Sequence, residues 1–222
     1  MMMNLFKRRK HTPPARDLAL LGGLALAYVS FAQVFRGRRA RFWPRMTRTG
    51  AILGSLSLAS EPELRETRIG VKDVVIGLGS AGVLYIIFQI GDRFARWLLP
   101  KGSTEIASIY DLRTLGPTPV LAGRLALIIG PAEELFWRGL VQRRLMREYG
   151  PVVGTAAGTA LYGGAHLVTG NVTLIGAASV AGAFWGGLYA LGVPMGALIV
   201  SHAAWDVFTF LIAPTERPER SK

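Results

Sequence analysis

Long apolar tracts, separated by short polar and basic segments, dominate the chain. There are six, Leu18–Phe35, Val74–Ile90, Val120–Phe136, Val152–Val168, Val172–Val193 and Pro194–Ile212. Each is close to the roughly 20 residues that an α-helix needs to cross the hydrocarbon core of a bilayer. Because backbone groups cannot stay unpaired in lipid, helices are the expected form. The pattern predicts an all-α fold, a polytopic transmembrane helical bundle of about six spans.

Two polar connections interrupt these tracts. The first, residues 36–72, is basic and contains the apolar stretch AILGSLSLAS, which is too short to span. It predicts an interfacial or re-entrant segment after the first span. The second connection covers residues 92–119. The tract Leu18–Phe35 is longer than the apolar region of a signal peptide and lacks a cleavage site, so an uncleaved first span is expected.

Composition and charge agree with a membrane protein. Only 18% of the residues are charged, against about a quarter in a soluble domain. The net charge is +12, but the basic residues lie mostly in tails and loops, so membrane lipids with anionic headgroups are the expected partner and nucleic acid is not. Lys and Arg are spread too evenly to predict orientation. The absence of cysteine excludes disulfides, thiolate catalysis and Cys-ligated zinc.

Ionisable residues inside the apolar tracts are the candidates for function, because placing them in a membrane costs several kcal/mol. One group lies in the stretch GPAEELFWRG. A structural interpretation is available there, with Pro131 at the first helical position and the two acids in a first turn. The candidates are Glu133, Glu134, Arg138, His166, His202 and Asp206.

Three separate tracts each contribute an acid or a histidine, which favours one shared site over isolated residues. Polar groups in lipid are penalised unless they face one another. The predicted interior cluster contains two glutamates, two histidines and an aspartate. Such a cluster can perform general acid–base chemistry on water, or it can hold a metal ion through His and carboxylate ligands.

The same residues resemble the motifs of a known family. EELFWR matches the EExxxR motif of the CPBP family (CAAX protease and bacteriocin-processing, also called ABI), which includes the type II CAAX prenyl endopeptidases. YGGAH resembles its FxxxH motif, with Tyr162 in place of phenylalanine. HAAWD resembles its HxxxN motif, with Asp206 in place of asparagine. FWGGLYA resembles its helix rich in small residues. The resemblance covers about residues 120–212.

The resemblance implies roles for these residues. Glu133 and His166 activate water for peptide hydrolysis, and Glu134 supports them. His202 and Asp206 form the oxyanion site. Arg138, four residues after Glu134, is expected to position a glutamate through an ion pair on one helix face.

The aspartate at position 206 leaves the mechanism open. An asparagine amide donates a hydrogen bond to a developing oxyanion, whereas an ionised carboxylate repels it. Asp206 could be protonated, could orient His202, or could bind a metal. The family has been described both as metalloproteases and as metal-independent glutamate proteases. No cofactor is favoured here; zinc is the alternative, with candidate ligands Glu133, Glu134, His166, His202 and Asp206.

The resemblance implies an intramembrane endopeptidase that acts on a membrane-associated protein or peptide with a C-terminal or membrane-proximal cleavage site. The expected location is a prokaryotic cytoplasmic membrane. A non-proteolytic scaffold or immunity protein is one alternative; a proton-coupled carrier is another, although inverted repeats are absent from the sequence. The predicted division is a basic tail (1–16), an N-terminal region with two spans (17–116), a four-helix catalytic core (117–213) and a C-terminal tail (214–222).

Overall fold

The computed structural model describes residues 17–99 and 101–214. The predicted N-terminal tail, and the C-terminal tail apart from residue 214, lie outside the described residues. No β-strand occurs within the described part, so the all-helical architecture is confirmed. The helices are α1 (Leu18–Phe35), α2 (Phe42–Ser60), α3 (Val71–Leu98), α4 (Gly102–Tyr110), α5 (Thr118–Tyr149), α6 (Pro151–Ala165), α7 (Val172–Ala190) and α8 (Met195–Ile212).

The protein is an integral membrane protein, but a count of six spans is not confirmed. Among the described residues, four helices are long and apolar enough to cross a membrane, namely α1, α3, α7 and α8. A fifth span results if residues 102–115 and α5, which meet at a bend of 106°, are counted together. The tract Val152–Val168 forms only the 15-residue helix α6, which is about 22 Å long and shorter than the hydrocarbon core.

The predicted interfacial stretch lies within α2, a helix of 19 residues that is not one of the four candidate spans. Two glycines bring α2 close to α5. A Cβ at Gly54 would stand 3.1 Å from the Cβ of Ala132, and one at Gly50 would stand 3.5 Å from it. Small residues permit such close helix crossings. Consequently, α2 supports α5 at the residue just before the glutamate pair.

Helix α3 is longer than the apolar tract predicts. It continues to Leu98 instead of ending near Ile90. The residues assigned to the second polar connection therefore begin inside a helix. Asp92 and Arg96 form an ion pair at 3.0 Å within it, as the i, i+4 spacing allows. Pairing of opposite charges explains how polar residues extend an otherwise apolar helix.

The bundle has two ends, which we name after one residue at each. At the Arg36 end, the residue that follows α1 donates from Nε to the carbonyl of Val168, just beyond α6, at 3.1 Å. At the Glu61 end, the residue that follows α2 accepts hydrogen bonds from Arg144 at 2.8 Å and from Arg147 at 3.0 Å. The C-terminus of α1 therefore lies beside the turn after α6, and the C-terminus of α2 lies beside the last turns of α5.

Candidate active site

Helix α5 carries both glutamates through a stretch of widened, π-helical turns. Such turns cover Leu125–Ile129 and Glu134–Gln142. Pro131 was expected to begin a helix, but it lies inside the continuous helix Thr118–Tyr149. Proline cannot donate a backbone hydrogen bond, and the ladder adjusts through wider turns. Turns of this kind are frequent at functional sites, and here they set the directions of the two carboxylates.

Glu133 is hydrogen-bonded to Tyr162 of the YGGAH motif, and the backbone of Tyr162 is in turn hydrogen-bonded to His166. The Tyr162 hydroxyl donates to Oε2 of Glu133 at 3.0 Å. The Nδ1 of His166 lies 3.0 Å from the carbonyl oxygen of Tyr162. Because a carbonyl can only accept, Nδ1 carries the proton, and Nε2 of a neutral His166 is left with its lone pair. We call Glu133, Tyr162 and His166 the open half of the site.

Aromatic rings from α1 hold the His166 imidazole in place. The Phe31 ring meets it edge-on with centroids 5.3 Å apart, and the Phe35 ring lies at 6.0 Å. Phe35 is the last residue of α1, and His166 directly follows the last residue of α6. His166 therefore lies near the Arg36 end of the bundle.

Glu134 points away from this group, into the protein. It is 0% exposed. Its Oε1 accepts from Arg138 Nη1 at 3.0 Å and lies 2.7 Å from Nδ1 of His202. Arg138 also donates from Nη2 to the carbonyl of Gly182 at 3.3 Å. The His202 ring stacks on Trp185, with centroids 3.9 Å apart. We call Glu134, Arg138 and His202 the sealed half of the site.

Arg138 of the sealed half is in contact with Tyr162 of the open half. The Arg138 guanidinium lies over the Tyr162 ring, 4.8 Å from its centroid, so the same arginine that binds Glu134 supports the tyrosine that binds Glu133. A cation over an aromatic face is attracted by the ring quadrupole. The sealed half thus contributes to the position of the open half.

Asp206 lies on the other side of the His202 ring from Glu134. Its Oδ2 is 3.7 Å from His202 Nε2, which is beyond hydrogen-bond distance. Orientation of the imidazole therefore depends on Glu134 through Nδ1, whereas Asp206 supplies a nearby charge or an acid. His202 is thus held at Nδ1, whereas its Nε2 has no hydrogen bond to Asp206.

A cavity of about 550 Å³ opens onto the site. Glu133, His166, His202 and Asp206 line it, whereas Glu134 and Arg138 are not among the described residues that do. Its other walls are mostly apolar. The end of α3, α4 and the first half of α7 contribute Phe94, Leu98, Ile106, Ile109 and Leu174, and further apolar residues come from α1, α2, α5 and α8. The ionisable residues of the site therefore face a mostly apolar cavity.

The possible metal ligands do not gather around one point. Within the described ranges, no group of three or more His, Cys, Asp or Glu side chains is arranged to hold a metal ion. We therefore derive no step through zinc.

Trp185, Phe31 and Phe35 were missed by the sequence reasoning. Trp185 lies in the stretch FWGGLYA, whose aromatic residue was an available signal beside its glycines. The two phenylalanines lie in an apolar tract outside all motifs, and only the packing of α1 on α6 reveals their contact with His166.

Comparison with protein families bears on this arrangement. Residues 116–208 match the family model described as type II CAAX prenyl endopeptidase Rce1-like. The predicted resemblance is confirmed. The matched segment runs from just before α5 into α8 and contains the residues of both halves and Asp206. The match to this family model implies CAAX endopeptidase activity. No curated protein and no solved structure matches the chain significantly.

Proposed function

We propose that the protein is an intramembrane endopeptidase in which Glu133 and His166 activate a water molecule. The observation that carries the proposal is the difference between the adjacent carboxylates. Only Glu133 lines the cavity, in company with a histidine whose Nε2 is free to accept a proton or orient a water. General acid–base catalysis needs groups within reach of the reacting atoms, and the buried Glu134 lacks that access.

In the proposed reaction, Glu133 acts first as a general base and then as a general acid. Tyr162 occupies Oε2 of Glu133, so the water is assigned to the other oxygen and to Nε2 of His166. Glu133 takes a proton from the water while the oxygen of that water attacks the peptide carbonyl carbon. The C–N bond then breaks, and Glu133 returns the proton to the leaving amine. The products are a carboxylic acid and an amine, because one proton of the water passes through Glu133 to the leaving nitrogen and the other stays on the attacking oxygen.

His202 is proposed to bind the oxyanion that forms on the carbonyl oxygen. Its Nδ1 is held by Glu134, so donation from Nε2 requires that both nitrogens carry a proton. The carboxylates on its two sides, Glu134 and Asp206, compensate that charge. A donor fixed in a site without water stabilises developing charge strongly. Asp206 contributes either as this counter-charge or, when protonated, as a second donor.

The proposed substrate is a membrane-associated protein or peptide that is cut near the membrane surface. His166 lies beside the last residue of α1, which favours a cleavage site near the interface over one at mid-bilayer. The mostly apolar cavity can accept a lipidated C-terminus or an apolar peptide segment. The proposed location is the cytoplasmic membrane of a prokaryote, and membrane lipids are the expected surroundings.

The test is cleavage by the purified protein in lipid nanodiscs, with fluorogenic peptides that carry either a prenylated CAAX terminus or an unmodified apolar terminus. Glu133→Gln and His166→Ala should each lose at least about 100-fold in kcat/KM. Glu66→Gln makes the same chemical change at an exposed position and should behave like wild type.

Full cleavage by either active-site variant would refute the proposed mechanism. An unchanged cellular phenotype in Glu133→Gln, with no cleavage by wild type, would favour a non-proteolytic scaffold or immunity protein. Chelator treatment and metal analysis of the same sample address the zinc-dependent version. If a chelator abolished cleavage and added zinc restored it, the zinc-dependent mechanism would replace the metal-independent one.

A further inference from the structure

The Arg36 end of the bundle carries a second pocket, which is basic and lies outside the candidate active site. It has a volume of about 510 Å³ and is formed by the last turns of α1 and the first turns of α2. Arg36, Arg45, Arg48 and Gln33 contribute its polar lining. Among the described residues around this pocket, none is acidic. The combination indicates a site for an anion.

Two of the arginines are anchored by neutral groups, which leaves their charge uncompensated in those bonds. Arg45 donates from Nη1 to the carbonyl of Gln33 at 2.9 Å, and Arg36 donates from Nε to the carbonyl of Val168 at 3.1 Å. A guanidinium has five N–H donors, so each of these bonds leaves others for a ligand. The arrangement fixes the side chains without neutralising them.

Gly37 makes room for this geometry. A Cβ at this position would overlap the Arg45 guanidinium and approach the Gln33 carbonyl that receives its hydrogen bond. The glycine is therefore needed for Arg45 to cross toward α1. A side chain here would displace one wall of the pocket without changing its charge.

The Glu61 end provides the contrast. There, Arg144 and Arg147 both bind Glu61, and Arg144 also contacts Asp17. Arginines at that end are compensated by carboxylates of the protein itself. At the opposite end Arg39 pairs with Asp111 at 3.4 Å, but no carboxylate of the described residues lines the pocket beside Arg36, Arg45 and Arg48. These three arginines are therefore available to an anionic ligand.

We infer that this pocket binds the phosphate group of an anionic membrane phospholipid. Arg36 directly follows the candidate span α1, which puts the pocket at the depth of the lipid headgroups. Guanidinium groups bind phosphate oxygens in a bidentate manner. Val29 and Ala32, which also line the pocket, offer an apolar strip along which an acyl chain can lie.

The pocket is also linked to the candidate active site. Val168, which receives the Arg36 hydrogen bond, belongs to the short turn His166–Thr169. A phosphate that holds Arg36 in place also restrains the backbone just after His166. This consequence rests on the proposed function, whereas binding of the lipid does not.

The experiment measures lipid retention by native mass spectrometry of the full chain, taken from neutral nanodiscs that contain a minor fraction of phosphatidylglycerol. Each of Arg45→Gln and Arg48→Gln should lower the affinity for the anionic lipid about five-fold, and the double variant about 25-fold. Arg68→Gln removes the same charge from an exposed position in the loop before α3 and should retain wild-type binding. Gly37→Ala should also lose binding, although every charge is kept.

Wild-type retention in the double variant would overturn the inference. Equal losses in Arg68→Gln and in the pocket variants would reduce it to general attraction of charge to the membrane. Competition by millimolar inorganic phosphate without any preference for phosphatidylglycerol would assign the pocket to free phosphate instead of lipid.

The link to the active site is measured separately, as the ratio of cleavage rates in anionic and neutral nanodiscs. The ratio should exceed one for wild type and fall toward one for the Arg45→Gln, Arg48→Gln double variant. Equal ratios in the two proteins, together with lost lipid binding, would refute the link and leave the lipid site standing. Absence of cleavage by wild type would refute the proposed function alone.

Discussion

Glu133 and Glu134 are neighbours in the chain, yet the fold gives them opposite surroundings. Glu133 lines the cavity and receives one hydrogen bond, from the Tyr162 hydroxyl. Glu134 is fully buried between Arg138 and His202. Of two identical neighbouring residues, Glu133 can thus contact substrate, whereas Glu134 holds Arg138 and His202 in position.

The division follows from the cost of burying charge. A carboxylate removed from water needs a partner of opposite charge and hydrogen bonds to its oxygens, and the sealed half provides both for Oε1 of Glu134. A catalytic carboxylate must stay accessible to water and substrate. The comparison indicates that mutations of Glu134 and Arg138 act mainly on stability, whereas mutations in the open half, and of His202, which lines the cavity, act on cleavage.

The largest effect on stability is expected when Arg138→Met removes the cation of the sealed half. Arg138 is 1% exposed and Glu134 is 0% exposed, so Glu134 would be left as a buried charge without its arginine. Loss of one partner of a buried ion pair costs about 3–5 kcal/mol. The free energy of unfolding, measured by denaturant titration in mixed micelles, should fall by this amount.

Two variants serve as controls for that measurement. Arg138→Lys keeps the charge but cannot reach both Glu134 and the Gly182 carbonyl in the same way, so its loss should be smaller. Glu133→Gln changes the open half and should leave the free energy of unfolding within about 1 kcal/mol of wild type. Comparable destabilisation by Glu133→Gln and Arg138→Met would erase the proposed division.

The apolar tracts and the ionisable residues within them were enough to predict an all-helical membrane protein with an interior polar cluster. Periodicity could not predict how α2 packs, because its contact with Ala132 depends on two glycines and on the approach of another helix. Nor could it separate Glu133 from Glu134. Their directions depend on the π-helical turns of α5, which have no clear signature in a single sequence.

The basic pocket shows the same limit on sequence reasoning. Arginines after the first span predict contact with anionic lipid in general. Predicting a defined pocket would require knowing which carbonyl groups bind these arginines. The partner of Arg45 lies in α1, and the partner of Arg36 lies in the turn after α6. The compensated arginines at the Glu61 end are indistinguishable from them by composition.

A smaller effect is expected from Tyr162→Phe, which sharpens the role of the open half. The change removes the hydroxyl that binds Glu133 but keeps the ring that packs against His166 and Arg138. One hydrogen bond is worth about 1 kcal/mol, so kcat/KM should fall by about five-fold. Loss as large as that of Glu133→Gln would show that the hydroxyl takes part in the chemistry instead of positioning the carboxylate.

The smallest effect is expected from Asp206→Asn, at the border between the two halves. Glu134 remains as a counter-charge to His202 when Asp206 is neutralised. The 3.7 Å gap between Asp206 and His202 means that no hydrogen bond is lost, and an amide can itself donate to an oxyanion. We expect kcat/KM within about three-fold of wild type, which corresponds to less than 1 kcal/mol. Asp206→Leu, which removes both the charge and the polar group, is the matched comparison and should lose more. If Asp206→Asn lost as much activity as Glu133→Gln, the aspartate would belong with the water-activating residues, and the site would contain two working carboxylates in place of one.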